Sequence, residues 1–334
     1  MAKIAINGFG RIGRSFFRAA FGLPEFEIVA LNDLVDPGTL AYLLKFDSVY
    51  GRYARMVNST GKEIVVDDYE IPVLAEKDPV QLPWKKLGVD IVVESTGFFT
   101  DGAKARMHID AGAKRVVITA PATGDVTTAL IGANDDRFKK PGPITANASC
   151  TTNSVVPVLA ILEANFGLAK AIMNTVHGYT ATQKLVDGPD MKDPRRGRAA
   201  AANIVPSTTG AAEAVIQSLP FLKGKFDAVA IRVPVIAGSL SVVNVLLEKN
   251  VTTEEVNAIF EQAAKDARWA RVLKVTDAPV VSTDIVGEPY GAIIDLGLTR
   301  VSGGNLATVF SWYDNEAGYT ATLVEHVRRI AGML

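Results

Sequence analysis

KIAINGFGRIGR, residues 3–14, decides the fold. Ile4-Ala5-Ile6 reads as a short buried strand. It runs directly into Gly8-Phe9-Gly10-Arg11-Ile12-Gly13, a GxGxxG pattern. Helical periodicity follows over 11–21, with Ile12, Phe16 and Ala20 on one face and Arg11, Arg14 and Arg18 on another. Gly22 and Pro24 stop that helix. A second apolar strand over 27–31 ends at Asn32-Asp33, and Asp33 stands 20 residues beyond Gly13. Glycines between a strand and a helix allow a tight turn and let the backbone approach a pyrophosphate at the helix N-terminus. An acid at the end of the next strand suits the adenosine ribose hydroxyls and repels a 2′-phosphate. The pattern therefore predicts a dinucleotide site. The competing reading is a glycine-rich turn that packs tightly and binds nothing.

The first half continues the alternation. Pro37 opens a helix over 39–44, and β-prone pieces such as 63–66 fill the stretch 50–75. A continuous apolar strand over 89–93 ends in Glu94-Ser95-Thr96-Gly97. A helix over 103–111 and a strand over 115–119 come next. Such alternation means βαβ units and a mainly parallel sheet. The second half has a different texture. A helix over 150–166 ends at Gly167, with Pro157 expected to kink it. Longer alternating runs at 171–176, 228–233, 240–248 and 306–313 suit an antiparallel sheet with helices on one face. The stretch 180–198 is an irregular loop of functional or interfacial length. A helix over 317–333 closes the chain.

The chain has 334 residues, enough for roughly two domains of ~150 residues each. Its 48% hydrophobic and 21% charged content is globular. Thirty-five basic residues balance 36 acidic ones, which argues against nucleic acid as the primary partner. No apolar tract approaches a membrane span, and the start lacks a secretory apolar region, so a cytoplasmic location is expected. One cysteine excludes an intrachain disulfide and a zinc cluster. No spacing of His, Cys, Asp and Glu resembles a metal site.

That cysteine, Cys150, lies in Ser149-Cys150-Thr151-Thr152-Asn153 at the start of the 150–166 helix. A thiol in the first helical turn feels the positive dipole end, so its pKa is expected to fall. The plain alternative is an inert core cysteine. Of three histidines, His108 and His326 lie among charged helix neighbours and read as solvated positions. His177 ends a strand beside the long loop, where a general base would project. Arg195, Arg196, Arg198 and Arg232, with the hydroxyls of Ser207-Thr208-Thr209-Gly210 before a helix, would make a phosphate cradle if they converge.

Together these stretches resemble the phosphorylating glyceraldehyde-3-phosphate dehydrogenase family over nearly the whole chain. The resemblance rests on INGFGRIGR at 6–14, ND at 32–33, VVESTG at 92–97, ASCTTN at 148–153 and TVHGYTATQK at 175–184. It continues in PSTTGAA at 206–212, IRVP at 231–234 and SWYDNEAGY at 311–319. It implies an α/β fold: a Rossmann-type, mostly parallel NAD-binding domain at 1–149 completed by a C-terminal helix at 315–334. An α+β catalytic domain with a mainly antiparallel sheet would span 150–314. It implies NAD as cofactor, glyceraldehyde 3-phosphate and inorganic phosphate as substrates, no membrane, and a homotetramer whose 180–201 loop packs at a subunit interface.

By the same resemblance, Cys150 would attack the aldehyde and His177 would act as base and favour the thiolate by ion pairing. Gly8, Gly10, Arg11, Ile12 and Gly13 would meet the pyrophosphate, Asp33 the ribose and Lys77 the adenine. Thr96 and Thr119 would line the cofactor crevice, Asn315 would hold the nicotinamide carboxamide and Tyr319 would pack nearby. Ser149, Thr151, Thr209 and Gly210 would bind the attacking phosphate with an arginine of the 195–196 pair, Arg196 by spacing. Thr180 and Arg232 would hold the substrate phosphate. Three positions depart from the family pattern: Ser154 for a second cysteine, Val235 for threonine and Asn244 for aspartate. Erythrose-4-phosphate dehydrogenase is the nearest alternative, separable by its independence of inorganic phosphate.

Overall fold

The computed structural model describes residues 1–191 and 193–334. The chain divides into two units. The first comprises Met1–Leu130, Asp135–Ala148 and Leu323–Leu334; the second comprises Ile131–Asn134 and Ser149–Thr322.

The first unit is built on a nine-stranded sheet. Its strands are β1 (Ala2–Asn7), β2 (Phe26–Asn32), β3 (Val57–Ser59), β4 (Glu63–Val66), β5 (Tyr69–Leu74), β6 (Ile91–Glu94), β7 (Arg115–Ile118), β8 (Thr127–Thr128) and β9 (Ile144–Ala146). The order is β3-β4-β5-β2-β1-β6-β7-β9-β8. Pairing is parallel from β5 through β8, and antiparallel only where β3, β4 and β5 meet. Every residue of β6 is buried, as are all but one each of β1 and β7, which is why they read as continuous apolar runs. The helices are α1 (Arg11–Ala20), α2 (Pro37–Lys45), α3 (Trp84–Leu87) and α4 (Gly102–Asp110). Asp36 caps α2 by accepting from the Thr39 N–H, and Asp101 caps α4 through Ala103. Gly10 begins α1 with no side-chain cap and no acid in the first turn.

The second unit carries an eight-stranded sheet of mixed, mostly antiparallel pairing. Its elements are α5 (Cys150–Phe166), β10 (Leu168–Gly178), β11 (Val205–Ser207), α6 (Ala211–Ser218), β12 (Phe226–Val233), β13 (Ser239–Leu247) and α7 (Thr253–Lys265). They continue through β14 (Leu273–Thr276), β15 (Ala292–Asp295), β16 (Arg300–Ser302) and β17 (Leu306–Tyr313); α8 (Ala317–Ala331) begins in the second unit and belongs to the first from Leu323 on. The order is β11-β12-β10-β13-β17-β15-β14, with β16 on β17. Burial alternates strictly along β13, as expected of a sheet with one covered face. α5 lies on β10, β13, β15 and β17. It runs through Pro157 as one helix and ends at Gly167. α7 carries its own start signal, a capping box between Thr252 and Glu255. No described helix is long and apolar enough to cross a membrane.

Two histidines are not where their neighbours in sequence suggest. His108 and His326 are fully buried rather than solvated. In α4 the buried residues are Gly102, Ala105 and His108, spaced by three, so His108 faces inward while its charged neighbours face out. In α8, His326 shares the inward face with Leu323, Val327 and Ile330. Its Nε2 lies 2.8 Å from Thr145 Oγ1, and its ring meets the edge of Phe138. Burial pushes the His326 pKa down from 6.5 to about 3. The unfolded chain therefore takes up a proton below pH 6.5 that the folded chain refuses. Stability should fall as pH drops from 6.5 toward 3, by about 1.4 kcal/mol per pH unit for that proton. His326→Gln, which keeps a partner for Thr145, should reduce the acid-side slope of unfolding free energy against pH, measured by urea titration.

Candidate active site

Strand register assembles the centre of the second unit. β10 pairs with β12 in parallel, placing His177 beside Arg232. β13 pairs with β10 in the opposite sense, placing Ser239 on the other side of His177, and Tyr313 of β17 follows Ser239. The N-terminus of α5 supplies Cys150, with Ser149 capping the helix through the Thr152 N–H at 3.1 Å. Cys150 Sγ lies 3.5 Å from His177 Nε2. The Tyr313 hydroxyl ties this arrangement together, 2.9 Å from Thr151 Oγ1 and 2.7 Å from Thr175 Oγ1. Its ring meets the His177 ring edge-on. Thr175 and His177 share one face of β10 because side chains alternate along a strand.

The electrostatics correct one expectation. Burial, then the charge of Arg232, push the His177 pKa down to about 3. Burial also pushes the Cys150 thiol up, against a downward pull from Arg232. Desolvation thus works against the helix dipole and the Arg232 charge, and makes a thiolate–imidazolium pair costlier than the first-turn position alone suggests. His177 Nδ1 lies 2.6 Å from the Gly178 carbonyl and 2.6 Å from Arg232 Nη1. With the ring proton on Nδ1, His177 donates to Gly178 and Nε2 is open to accept the thiol proton. With Arg232 donating to Nδ1, the ring proton sits on Nε2 and points at sulfur.

The other anticipated residues divide into groups. Arg196 Nη2 donates to Thr182 Oγ1 at 2.7 Å, and Thr182 bonds Thr180 Oγ1 at 3.0 Å, so Arg196 and Thr180 are linked through Thr182. The charge of Arg196 is felt at Arg232. Arg195 is exposed. The Ser149 hydroxyl is engaged with Thr152, and the Thr151 hydroxyl with Tyr313. Thr209 Oγ1 accepts from the Ala211 N–H, and Gly210 begins α6 without a side-chain cap. Asn315 is buried, its Oδ1 accepting from the Gly238 N–H at 3.0 Å, which leaves its amide nitrogen as the end to offer a ligand. Tyr319 is buried in the first turn of α8. Tyr313 and Thr175 had no part in the sequence reading. Tyr313 stands inside SWYDNEAGY, but only the fold shows what its hydroxyl touches.

A separate cleft of about 540 Å³ opens in the first unit, lined by Gly8, Gly10, Asp33, Leu34, Lys77 and Thr96 among others. Gly8 has φ +90°, and a Cβ there would sit 2.7 Å from the Thr96 nitrogen. A Cβ at Gly13 would lie 2.1 Å from the Gly8 carbonyl. A Cβ at Gly10 would meet nothing within 4 Å, so room is left at the start of α1. That open space before an uncapped helix N-terminus fits a diphosphate. Asp33 accepts from the Phe9 N–H at 2.7 Å and the Val35 N–H at 3.0 Å, so its carboxylate braces the glycine loop. Arg11 pairs its side chain with Asp47 at 2.5 Å, which leaves its backbone and that of Ile12 to face an anion. Thr119 follows β7, its N–H donating to the Glu94 carbonyl. Phe98, exposed at the cleft, is a lining residue the sequence reading did not name.

Residues 2–102 match the model of the glyceraldehyde 3-phosphate dehydrogenase NAD binding domain, and residues 149–315 match that of the C-terminal domain. This chain belongs to the glyceraldehyde-3-phosphate dehydrogenase family. Over 99% of both chains it is 49% identical to glyceraldehyde-3-phosphate dehydrogenases from Mycobacterium avium and Mycobacterium tuberculosis (strain ATCC 25618 / H37Rv). A Streptomyces coelicolor enzyme of the same name is 48% identical over 97% of this chain. The expected fold class stands: a mostly parallel sheet in the NAD-binding part and a mostly antiparallel one in the C-terminal part.

Arg232 is the positive charge that pulls the Cys150 thiol down. Arg232→Ala should therefore shift thiol titration to higher pH and slow iodoacetamide alkylation several-fold at neutral pH. A pH profile of the alkylation rate checks this; an unchanged profile counts against the coupling.

Proposed function

We propose that this chain carries out the NAD-dependent phosphorylating oxidation of glyceraldehyde 3-phosphate to 1,3-bisphosphoglycerate. The single observation that carries the chemistry is the 3.5 Å approach of Cys150 Sγ to His177 Nε2 at a helix N-terminus. Family membership carries the substrate.

Cys150 attacks the aldehyde carbon, and the thiol proton passes to Nε2 of His177 as the C–S bond forms. The imidazole is a weak base at rest because it is buried beside Arg232. A substrate phosphate set against Arg232 offsets that charge, so His177 becomes more basic when substrate is present. NAD, when bound, supplies the hydride acceptor. His177 returns the thiol proton to the alkoxide oxygen, giving the hemithioacetal hydroxyl, and takes it up again as the carbon is oxidised to a thioester on Cys150. Inorganic phosphate then attacks the thioester carbon, the C–S bond breaks to release the acyl phosphate, and the Cys150 thiolate recovers its proton from His177.

Residue roles follow the same reading. Thr180 and Arg232 hold the substrate phosphate. Arg196, half-buried and turned toward Thr182, is the better of the 195–196 pair for the attacking phosphate, with Thr209 and the N-terminus of α6 at Gly210. Ser149 and Thr151 shape that site from α5. Gly8, Gly10, Arg11, Ile12, Gly13, Asp33, Lys77, Thr96 and Thr119 hold the nucleotide, with Asn315 and Tyr319 serving its nicotinamide end. Residues 1–149 with 315–334 act as the NAD-binding domain and 150–314 as the catalytic domain. The working form is a homotetramer in the cytoplasm. Exposed Ile172, Val229 and Leu306 on the sheet of the second unit, with Leu185, Val186 and Ile204 around it, support self-association.

NADH formation from glyceraldehyde 3-phosphate should depend on inorganic phosphate. Phosphate-independent release of a free acid would favour the erythrose-4-phosphate enzyme instead. Cys150→Ser should lower turnover at least ~1,000-fold while nucleotide still binds. Light scattering should return four times the 35.6 kDa chain mass; a monomer would refute the tetramer.

A further inference from the structure

The first unit contains a buried polar chain that the reaction does not use. It links Trp84 of α3, His108 of α4, Glu94 of β6, Asn7 of β1 and Asn32 of β2, all 5% exposed or less. Its direction is set by donor chemistry. An indole N–H can only donate, so Trp84 Nε1 gives its hydrogen to His108 Nδ1 at 3.0 Å. The neutral ring then carries its proton on Nε2 and donates to Glu94 Oε2 at 3.0 Å. Asn7 Nδ2 donates to the same oxygen at 2.6 Å. That orients the Asn7 amide, whose Oδ1 accepts from Asn32 Nδ2 at 2.6 Å. Asn32 Nδ2 also donates to the Glu76 carbonyl at 2.9 Å, and Asn32 Oδ1 accepts from the Glu76 N–H at 2.9 Å. No amide in the chain can turn over without setting donor against donor.

The chain meets the nucleotide cleft at two points, through Glu94 and through Asn32. Glu94 Oε1 accepts from the Thr96 N–H at 2.8 Å and from Thr96 Oγ1 at 2.5 Å. Asn32 extends the parallel pairing of β2 with β5 by clamping the backbone of Glu76, next to Lys77. Asn7, Asn32, Glu76, Lys77 and Thr96 line the cleft, whereas His108, Trp84 and Glu94 do not. A buried carboxylate with four donors is costly to assemble and rigid once satisfied, and apolar residues would fill a core as well. We propose that His108 is a positioning residue for the dinucleotide: through Glu94 it holds Thr96 on one wall, and through Glu94 and Asn7 it orients the Asn32 amide that fixes Glu76–Lys77 on another. The inference rests on the reading of this cleft as the NAD site.

The test is ADP-ribose binding by calorimetry, with KM for NAD and kcat measured separately. His108→Phe removes the donor to Glu94 and the acceptor for Trp84. It should weaken ADP-ribose binding about tenfold or more and raise KM for NAD in step. The kcat at saturating NAD and the alkylation rate of Cys150 without nucleotide should stay within about twofold. His108→Gln, which returns an N–H to Glu94, should recover most of the affinity. Trp84→Phe removes the N–H that fixes the His108 ring, and should give a smaller loss in the same direction should His108→Phe fail to fold. Lowered stability with unchanged ADP-ribose affinity would overturn the proposal, as would a His108→Gln variant as weak as His108→Phe. If the unaltered protein binds no ADP-ribose, the nucleotide reading of the cleft falls and the inference with it.

Discussion

The parallel pairing of β10 with β12 is the constraint on which the catalytic centre depends. In a parallel pair both strands finish at the same edge of the sheet. His177 and Arg232, near the ends of their strands, therefore leave the sheet side by side. The antiparallel neighbours bring complementary ends to that edge: the start of β13 at Ser239 and the end of β17 at Tyr313. An antiparallel β12 would offer its beginning there, and Arg232 would sit at the opposite edge. With the edge so composed, α5 needs only to lie on the sheet with its N-terminus over it. Cys150 then meets His177, and the Tyr313 hydroxyl joins Thr151 of the helix to Thr175 of the strand.

Burial governs the chemistry of this edge. A dry pocket makes every charge expensive, so burial pushes the thiol up and the imidazole down despite a helix N-terminus and a guanidinium nearby. Arg232 acts in two senses at once: it favours the thiolate and opposes the imidazolium. The group that resolves this conflict is an anion, which the substrate carries. On the proposed reaction, a substrate phosphate set against Arg232 would offset the charge that makes His177 a poor base.

The first unit meets the same cost of burial in another way. Glu94 is almost wholly buried, yet it accepts four hydrogen bonds, and each donor is itself oriented by a further partner. A satisfied network of this sort has one arrangement, and here that arrangement includes two walls of the cleft. His108 reads as solvated from its neighbours because Arg106 and Asp110 lie two positions away along the chain, where the helix turns them to the opposite side. His326 was misread for the same reason.

The sequence by itself determined the elements and the motifs. The glycine loop, the acid at Asp33 and the limits of α5 from Cys150 to Gly167 are local properties, set by backbone freedom, helix periodicity and capping. Strong motifs also marked the family, since SCTTN and SWYDNEAGY each concentrate unusual residues in a short span. Tertiary structure alone decided which residues touch. Arg232 lies 55 positions from His177 and Tyr313 lies 162 from Thr151, and no periodicity encodes strand order or register across such separations. It also decided the charge states, because desolvation depends on everything packed around a group and not on its neighbours along the chain.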